Sequence, residues 1–107
     1  MDQALELAAQ RLAELGHSTR LAIFRQLVRA GRQGVVVGDI QQQLAIPSST
    51  LSHHLARMIK VGLMQQQREG RTLYCQLNFE VLEQLLGFLY AECCAGERTP
   101  FSLTKKE

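Results

Sequence analysis

The sequence predicts a mainly α chain that carries one small β-hairpin. Three observations predict it. Apolar residues recur at helical spacing in four stretches before residue 64 and in one after residue 78. Between them, Thr72-Leu73-Tyr74-Cys75-Gln76-Leu77 alternates, with Leu73, Cys75 and Leu77 on one side. Glycines fall where these periods break, at Gly16, Gly31, Gly62 and Gly70. The length of 107 residues suits one core, and 46% hydrophobic residues is enough to fold it.

A first helix is expected over residues 2–15, with Leu5, Ala8, Leu12 and Leu15 on one face and Gly16 ending it. His17 or Ser18 starts a second helix, residues 18–30. Its Leu21, Phe24, Leu27 and Val28 are expected to face the core, and Arg20, Arg25 and Arg29 the surface. Arg32-Gln33-Gly34 reads as a loop and the β-branched Val35-Val36-Val37 as a short strand. Gly38-Asp39 then opens a third helix, Asp39 to Leu44, with the aspartate at its positive end. Ala45-Ile46-Pro47 is a tight turn into a fourth helix, where Pro47 costs nothing because a first-turn N–H has no partner. Leu51, Leu55, Met58 and Ile59 make its apolar face, His54 packs toward the core, and Gly62 stops it. Two short helices joined by such a turn form a helix-turn-helix.

The hairpin follows at once. Met64-Gln65-Gln66-Gln67-Arg68 is its first strand, Glu69-Gly70-Arg71 its turn and Thr72–Leu77 its second strand. Asn78 caps a last helix, Phe79 to about Glu92. Val81, Leu82, Leu85, Leu86, Phe88 and Leu89 cover more of that helix than one core can use. A homodimer through the first and last helices is the economical expectation. The division is therefore a domain over 1–92, for DNA binding and dimerisation, and a cysteine-bearing tail over 93–107 that is expected to be mobile.

The outer face of the fourth helix carries the functional signal. Ser48, Ser49, Ser52 and His53 are short or flat polar groups at its N-terminal end, a form that lets a backbone approach base edges closely. Thr50 suits a phosphate or a cap. Arg57, Lys60, and Arg68 and Arg71 on the hairpin are candidate phosphate contacts. A net charge of only +2 makes any basic footprint local. No apolar run reaches the length of a membrane span, and the N-terminus lacks a basic targeting region, so the expectation is a cytoplasmic protein without a membrane partner. Three cysteines, an odd number, argue against a disulfide framework. No Cys-x-x-Cys opens a helix, no glycine loop cradles phosphate, and no nucleophile stands with a base, so no enzyme is expected.

Helix, helix, helix-turn-helix, basic hairpin, helix is a winged-helix order. Four segments, 17–24 (His-Ser-Thr-Arg-Leu-Ala-Ile-Phe), 49–55 (Ser-Thr-Leu-Ser-His-His-Leu), Gly62-Leu63, and Arg68-Glu69-Gly70-Arg71 with Tyr74, resemble the ArsR/SmtB family of bacterial metal- and metalloid-responsive repressors. The resemblance covers most of residues 15–90. It implies a dimer on an imperfect palindrome of double-stranded operator DNA, released by a ligand. Some members carry a Cys-x-Cys pair before the recognition helix, where this chain has Val36 and Gly38. Others bind zinc through the last helix, which here has no histidine, so zinc is not expected. Cys93-Cys94 instead resembles the arsenic sensors that place a vicinal pair at the end of the last helix.

Thiolates favour soft, thiophilic ions. The expected inducer is trivalent arsenic, as arsenite or a methylated arsenical, with antimonite as a second candidate. Arsenite takes three sulfurs and monomethylated arsenic two. Cys75 is either the third ligand, from the same chain or the dimer mate, or a buried apolar residue. The alternative function keeps the fold and makes Cys93, Cys94 or Cys75 a sensor of oxidants or reactive sulfur.

Overall fold

The computed structural model describes residues 2–97. Its elements, in order, are α1 (Gln3–Leu15), α2 (Ser18–Ala30), a 3-10 turn (Gly31–Gln33), β1 (Val35–Val36), α3 (Val37–Leu44), α4 (Ser48–Lys60), β2 (Met64–Glu69), β3 (Thr72–Leu77) and α5 (Phe79–Tyr90). No described helix is long and apolar enough to cross a membrane.

Local chemistry accounts for most boundaries. The Asp2 carboxylate accepts from the Ala4 amide at 3.2 Å, and His17 Nδ1 from the Thr19 amide at 3.1 Å, capping α1 and α2. Asn78 Oδ1 accepts from the Val81 amide at 3.3 Å and starts α5. Pro47 is the extended residue just outside α4, and Ser48 its first residue. The turn between α3 and α4 is closed by Ala45 at φ 54°, whose amide donates to the Gln41 carbonyl at 2.8 Å. An alanine thus holds a left-handed position that glycine fills at less cost.

The sheet is antiparallel in the order β1-β3-β2, so the wing hairpin is flanked by a third, two-residue strand. Val35 pairs with Cys75 and Val36 with Tyr74. Gly34, at φ 86°, leads into this strand where a Cβ would stand 2.2 Å from the Cys75 carbonyl oxygen, so only glycine fits. Val37, expected in the strand, is instead the first residue of α3, because β1 has used its two pairing positions. In the hairpin Met64 faces Leu77 and Glu69 faces Thr72, which leaves a two-residue loop, Gly70-Arg71, tighter than the expected three.

The core joins Ile23, Leu27, Ile40, Leu51, Leu55, Met58, Leu63, Met64, Cys75, Leu77 and Val81. Three expectations, for the α2 arc, Arg20 and Ile59, are corrected by it. In α2 the inward arc is Arg20-Ile23-Leu27, while Leu21 and Val28 are exposed. A period of 3.6 allows two overlapping apolar arcs there, and the arc holding Ile23 is the one that meets α4 and the sheet. Arg20, read as a surface residue, is 8% exposed. Ile59 turns outward, since Leu51, Leu55 and Met58 already fill the inner face of α4. In α1 only Ala8 is buried, and Leu5, Leu7 and Leu12 remain exposed. Leu86 and Leu89 of α5 are also exposed, at 56% and 55%. α1 and α5 therefore present a joint apolar surface that one chain does not cover.

After Tyr90 the chain continues in turns: the Cys93 amide donates to Tyr90, Ala95 to Glu92, and Glu97 to Cys94. α5 thus ends two residues before the expected Glu92. Of the tail expected to be mobile over 93–107, residues 98–107 lie outside the described residues.

Candidate nucleic-acid interface and thiol pair

On α4 the inner positions Leu51, His54, Leu55 and Met58 are buried, and the outer ones follow from helical spacing. Ser48, Ser49, Thr50, Ser52 and His53 are all exposed on the N-terminal half, with Arg57 and Lys60 exposed beyond them. Short hydroxyl groups at the leading end of a helix, followed by cations one and two turns on, match a helix that enters a groove and meets its phosphate rim. Arg68 and Arg71 are exposed on the hairpin, Arg71 in its two-residue loop. Behind the tip, Gln65 Nε2 donates to Gln76 Oε1 at 3.2 Å and Gln76 Nε2 to Gln67 Oε1 at 3.1 Å, an amide ladder that stiffens one face of the wing.

Beneath the recognition helix lies a charged cluster not anticipated from the sequence. Glu14, at the end of α1, accepts from Arg57 Nε at 2.8 Å and from Arg57 Nη2 at 3.2 Å. Arg20 Nε donates to the Glu14 backbone carbonyl at 2.6 Å and lies 3.3 Å from its carboxylate. Arg20 Nη1 donates to His54 Nδ1 at 3.1 Å. His17 and His53 close around the same imidazole, with ring centroids 4.8 Å and 5.9 Å away. The Arg57 bond holds the Glu14 carboxyl below its ordinary range. Burial first, then the neighbouring cations and imidazoles, push His54 down. Arg57, expected as a phosphate contact, thus spends two donors on Glu14 in the free protein.

Arg11 is a second residue that spacing did not reveal. Its Nε donates to the Val61 carbonyl at 2.9 Å, where α4 ends. The available signal was positional: Arg11 and Glu14 stand three apart on α1 and share a face.

The thiols divide into two environments. Cys75 is fully buried in β3, and burial pushes its thiol up although Gln66 Nε2 donates to its sulfur at 3.6 Å. Cys93 and Cys94 are half-buried, with sulfurs 3.5 Å apart. Cys94 adopts φ 61°, which bends the chain so that neighbouring side chains converge. Burial and the adjacent Cys94 thiol push Cys93 up. Among the described residues no group of three His, Cys, Asp or Glu could hold a metal ion, so one protomer does not bring Cys75 to the pair.

Comparison with known proteins bears on this surface. A helix-turn-helix domain family matches residues 15–67, the span from the end of α1 into β2. The transcriptional repressor PagR of Bacillus anthracis is 30% identical over 86 residues, 80% of this chain and 84% of PagR. The crystal structure of the transcriptional repressor BigR from Xylella fastidiosa superposes with a TM-score of 0.61 at 30% identity, covering 80% of this chain and 85% of BigR. A homodimeric winged helix-turn-helix DNA-binding domain from Mycobacterium bovis shares the fold at a TM-score of 0.65 and 21% identity, covering 91% of this chain and 90% of that domain.

Proposed function

The chain belongs to the ArsR family of winged-helix transcriptional regulators, proteins that bind DNA and are not enzymes, and from that membership we propose a dimeric repressor released from its operator by a thiophilic ligand on Cys93 and Cys94. The observation that carries the signal is the 3.5 Å approach of the two sulfurs at the end of α5. The apolar surface of α1 and α5 supports the dimer, and the thiol pair follows in the turns directly after α5. A ligand there acts beside the helices that set the separation of the two recognition helices, about 34 Å for successive major grooves.

Two converging thiols match a monomethylated trivalent arsenical. Each thiol gives its proton to an arsenic-bound hydroxide, two arsenic–sulfur bonds form, and two waters leave with no change of oxidation state. Inorganic arsenite has a third position, which a sulfur of the dimer mate or a retained hydroxide completes. Ser48, Ser49, Ser52 and His53 read bases in this reading, Thr50, Lys60, Arg68 and Arg71 meet phosphates, and Arg57 is held by Glu14 instead.

Fluorescence anisotropy of a labelled duplex from the gene's own promoter tests it. Protein should raise the signal, and methylarsenite should return it to that of free DNA, with no response from Cys93→Ser or Cys94→Ser. Binding that no trivalent arsenical disturbs removes the arsenic assignment. The same sulfur contact favours one second reading, oxidation of the pair by peroxide to a disulfide with release of two waters. Release by peroxide, reversed by a dithiol reductant and absent with arsenicals, selects it.

A further inference from the structure

The recognition helix is tied to α1 by polar bridges from Arg11 and Glu14. A groove of about 530 Å³ separates the two helices, bordered by Gln10, Ala13 and Glu14 on one side and His53, Ala56 and Arg57 on the other. Its polar bridges are directional. Arg11 holds the Val61 carbonyl at 2.9 Å, and Glu14 holds Arg57 through two bonds of 2.8 and 3.2 Å. A two-point carboxylate–guanidinium pair fixes angle as well as distance. The Glu14 side chain is 14% exposed and that of Arg57 47%, so the pair rests on its two-point geometry and remains open to screening by salt. The anchored positions, Arg57 on α4 and Val61 at its C-terminal cap, are four residues apart, about 6 Å along the axis, so rotation and tilt are both constrained. The other side of α1 faces α5, where Ala4, Leu7, Ala8 and Arg11 border a second groove with Leu85 and Phe88.

We infer that Arg11 and Glu14 are positioning residues for operator recognition: they lock the C-terminal half of the recognition helix to the dimer-face helix, so that the separation of the two reading helices follows α1. The inference rests on the dimer reading above. Arg57 acts here through Glu14, as the partner by which α4 is gripped. Glu14 also receives Arg20, which extends the grip to α2 and leaves the N-terminal half of α4 exposed for the groove.

The test measures spacing discrimination. Duplexes carry the inverted repeat footprinted upstream of the gene, either unchanged or with two base pairs inserted between half-sites. Binding is measured for the wild type, Arg11→Met, Arg57→Gln and the double variant, with light scattering and thermal melting on each. Both substitutions fall on sites where the side chain reaches solvent, and Met keeps the Arg11 stem. The wild type should prefer the unchanged duplex by tenfold or more. The folded, dimeric double variant should prefer it by less than about threefold, with the slope of log affinity against log salt unchanged. Undiminished discrimination in that variant overturns the inference. So does a salt slope reduced by about two in Arg57→Gln, which would make Arg57 a phosphate contact in each protomer. A monomeric wild type overturns the dimer reading and the inference with it; a dimeric wild type with a discriminating double variant overturns the inference alone.

Discussion

Arg20 Nη1 stands 3.1 Å from Nδ1 of His54, a hydrogen bond that exists only while that nitrogen is unprotonated. Burial and the surrounding Arg20, His17, His53 and Arg57 depress the folded pKa of His54 below 6.5. The unfolded chain therefore binds more protons near neutrality, and stability rises with pH through this window. The contribution is complete above about pH 6.5 and is lost as the pH falls toward the depressed folded value. Thermal melting of the wild type between about pH 7.5 and 5.5 should show a falling Tm, and His54→Gln should flatten that slope. Glu14 adds a separate stage. Its folded pKa lies below 4.5, so its contribution is present above that value and disappears as the pH falls through the folded pKa.

Native thiol labelling should separate the cysteines. Cys75 is fully buried with its thiol pushed up, whereas Cys93 and Cys94 reach solvent. Alkylation followed by peptide mass analysis should modify the vicinal pair first and Cys75 only after denaturant is added. Because Cys93 is also raised, it stays a thiol through neutrality, and since its proton leaves as water with an arsenic-bound hydroxide, the affinity for methylarsenite should stay level with pH in that range.

The two kinds of DNA contact should respond differently to truncation. Arg71→Ala at the hairpin tip should weaken binding to all duplexes alike and lower the salt slope by about two per dimer. Ser49→Ala should leave that slope alone and change the ranking of operator variants, at about 1–3 kcal/mol for the base it reads. A set of single-base-pair operator variants measured at three salt concentrations reads both effects.

The turn of the helix-turn-helix holds removable strain. Ala45 sits at φ 54°, where a Cβ costs about 1 kcal/mol. Ala45→Gly should stabilise the chain by a similar amount, less the added freedom of the unfolded state. A Tm higher by a few degrees, with unchanged operator affinity, is the expected result.

Leu86 and Leu89 lie more than half exposed on α5. Leu89→Glu should place a charge in the proposed α1–α5 interface and shift the population to monomer by light scattering, while the isolated chain keeps its helical circular dichroism.

The order of elements was legible because each rested on a local signal. The alternation of Thr72–Leu77 located β3, and the run from Pro47 to Gly62 located α4 to within two residues. The inward arc of α2 was not legible, because Leu21 and Ile23 are equally apolar and only contact with α4 and the sheet selects between them. The outer face of α4 could be read from spacing alone, since it needs no partner. The cluster behind it could not, because Glu14, Arg20 and His54 come from three helices and their meeting is a property of tertiary packing. The proximity of Cys93 to Cys94 followed from adjacency, whereas the seclusion of Cys75 depended on its pairing with Val35 across a strand as short as two residues.

The sheet order leaves β2 with one side unpaired, and Gln65, Gln66, Gln67 and Arg68 on it are exposed. An open strand of amides is a template on which another chain can assemble, and glutamine ladders are well suited to propagate such stacking. Arg68 is the one cation on this strand, and Glu69 follows it at the hairpin end. Neutralising Arg68 would thus do more than remove a point of attraction for DNA. It would also strip the open edge of its one cation, and charged side chains are a means by which an unpaired strand resists pairing with another chain.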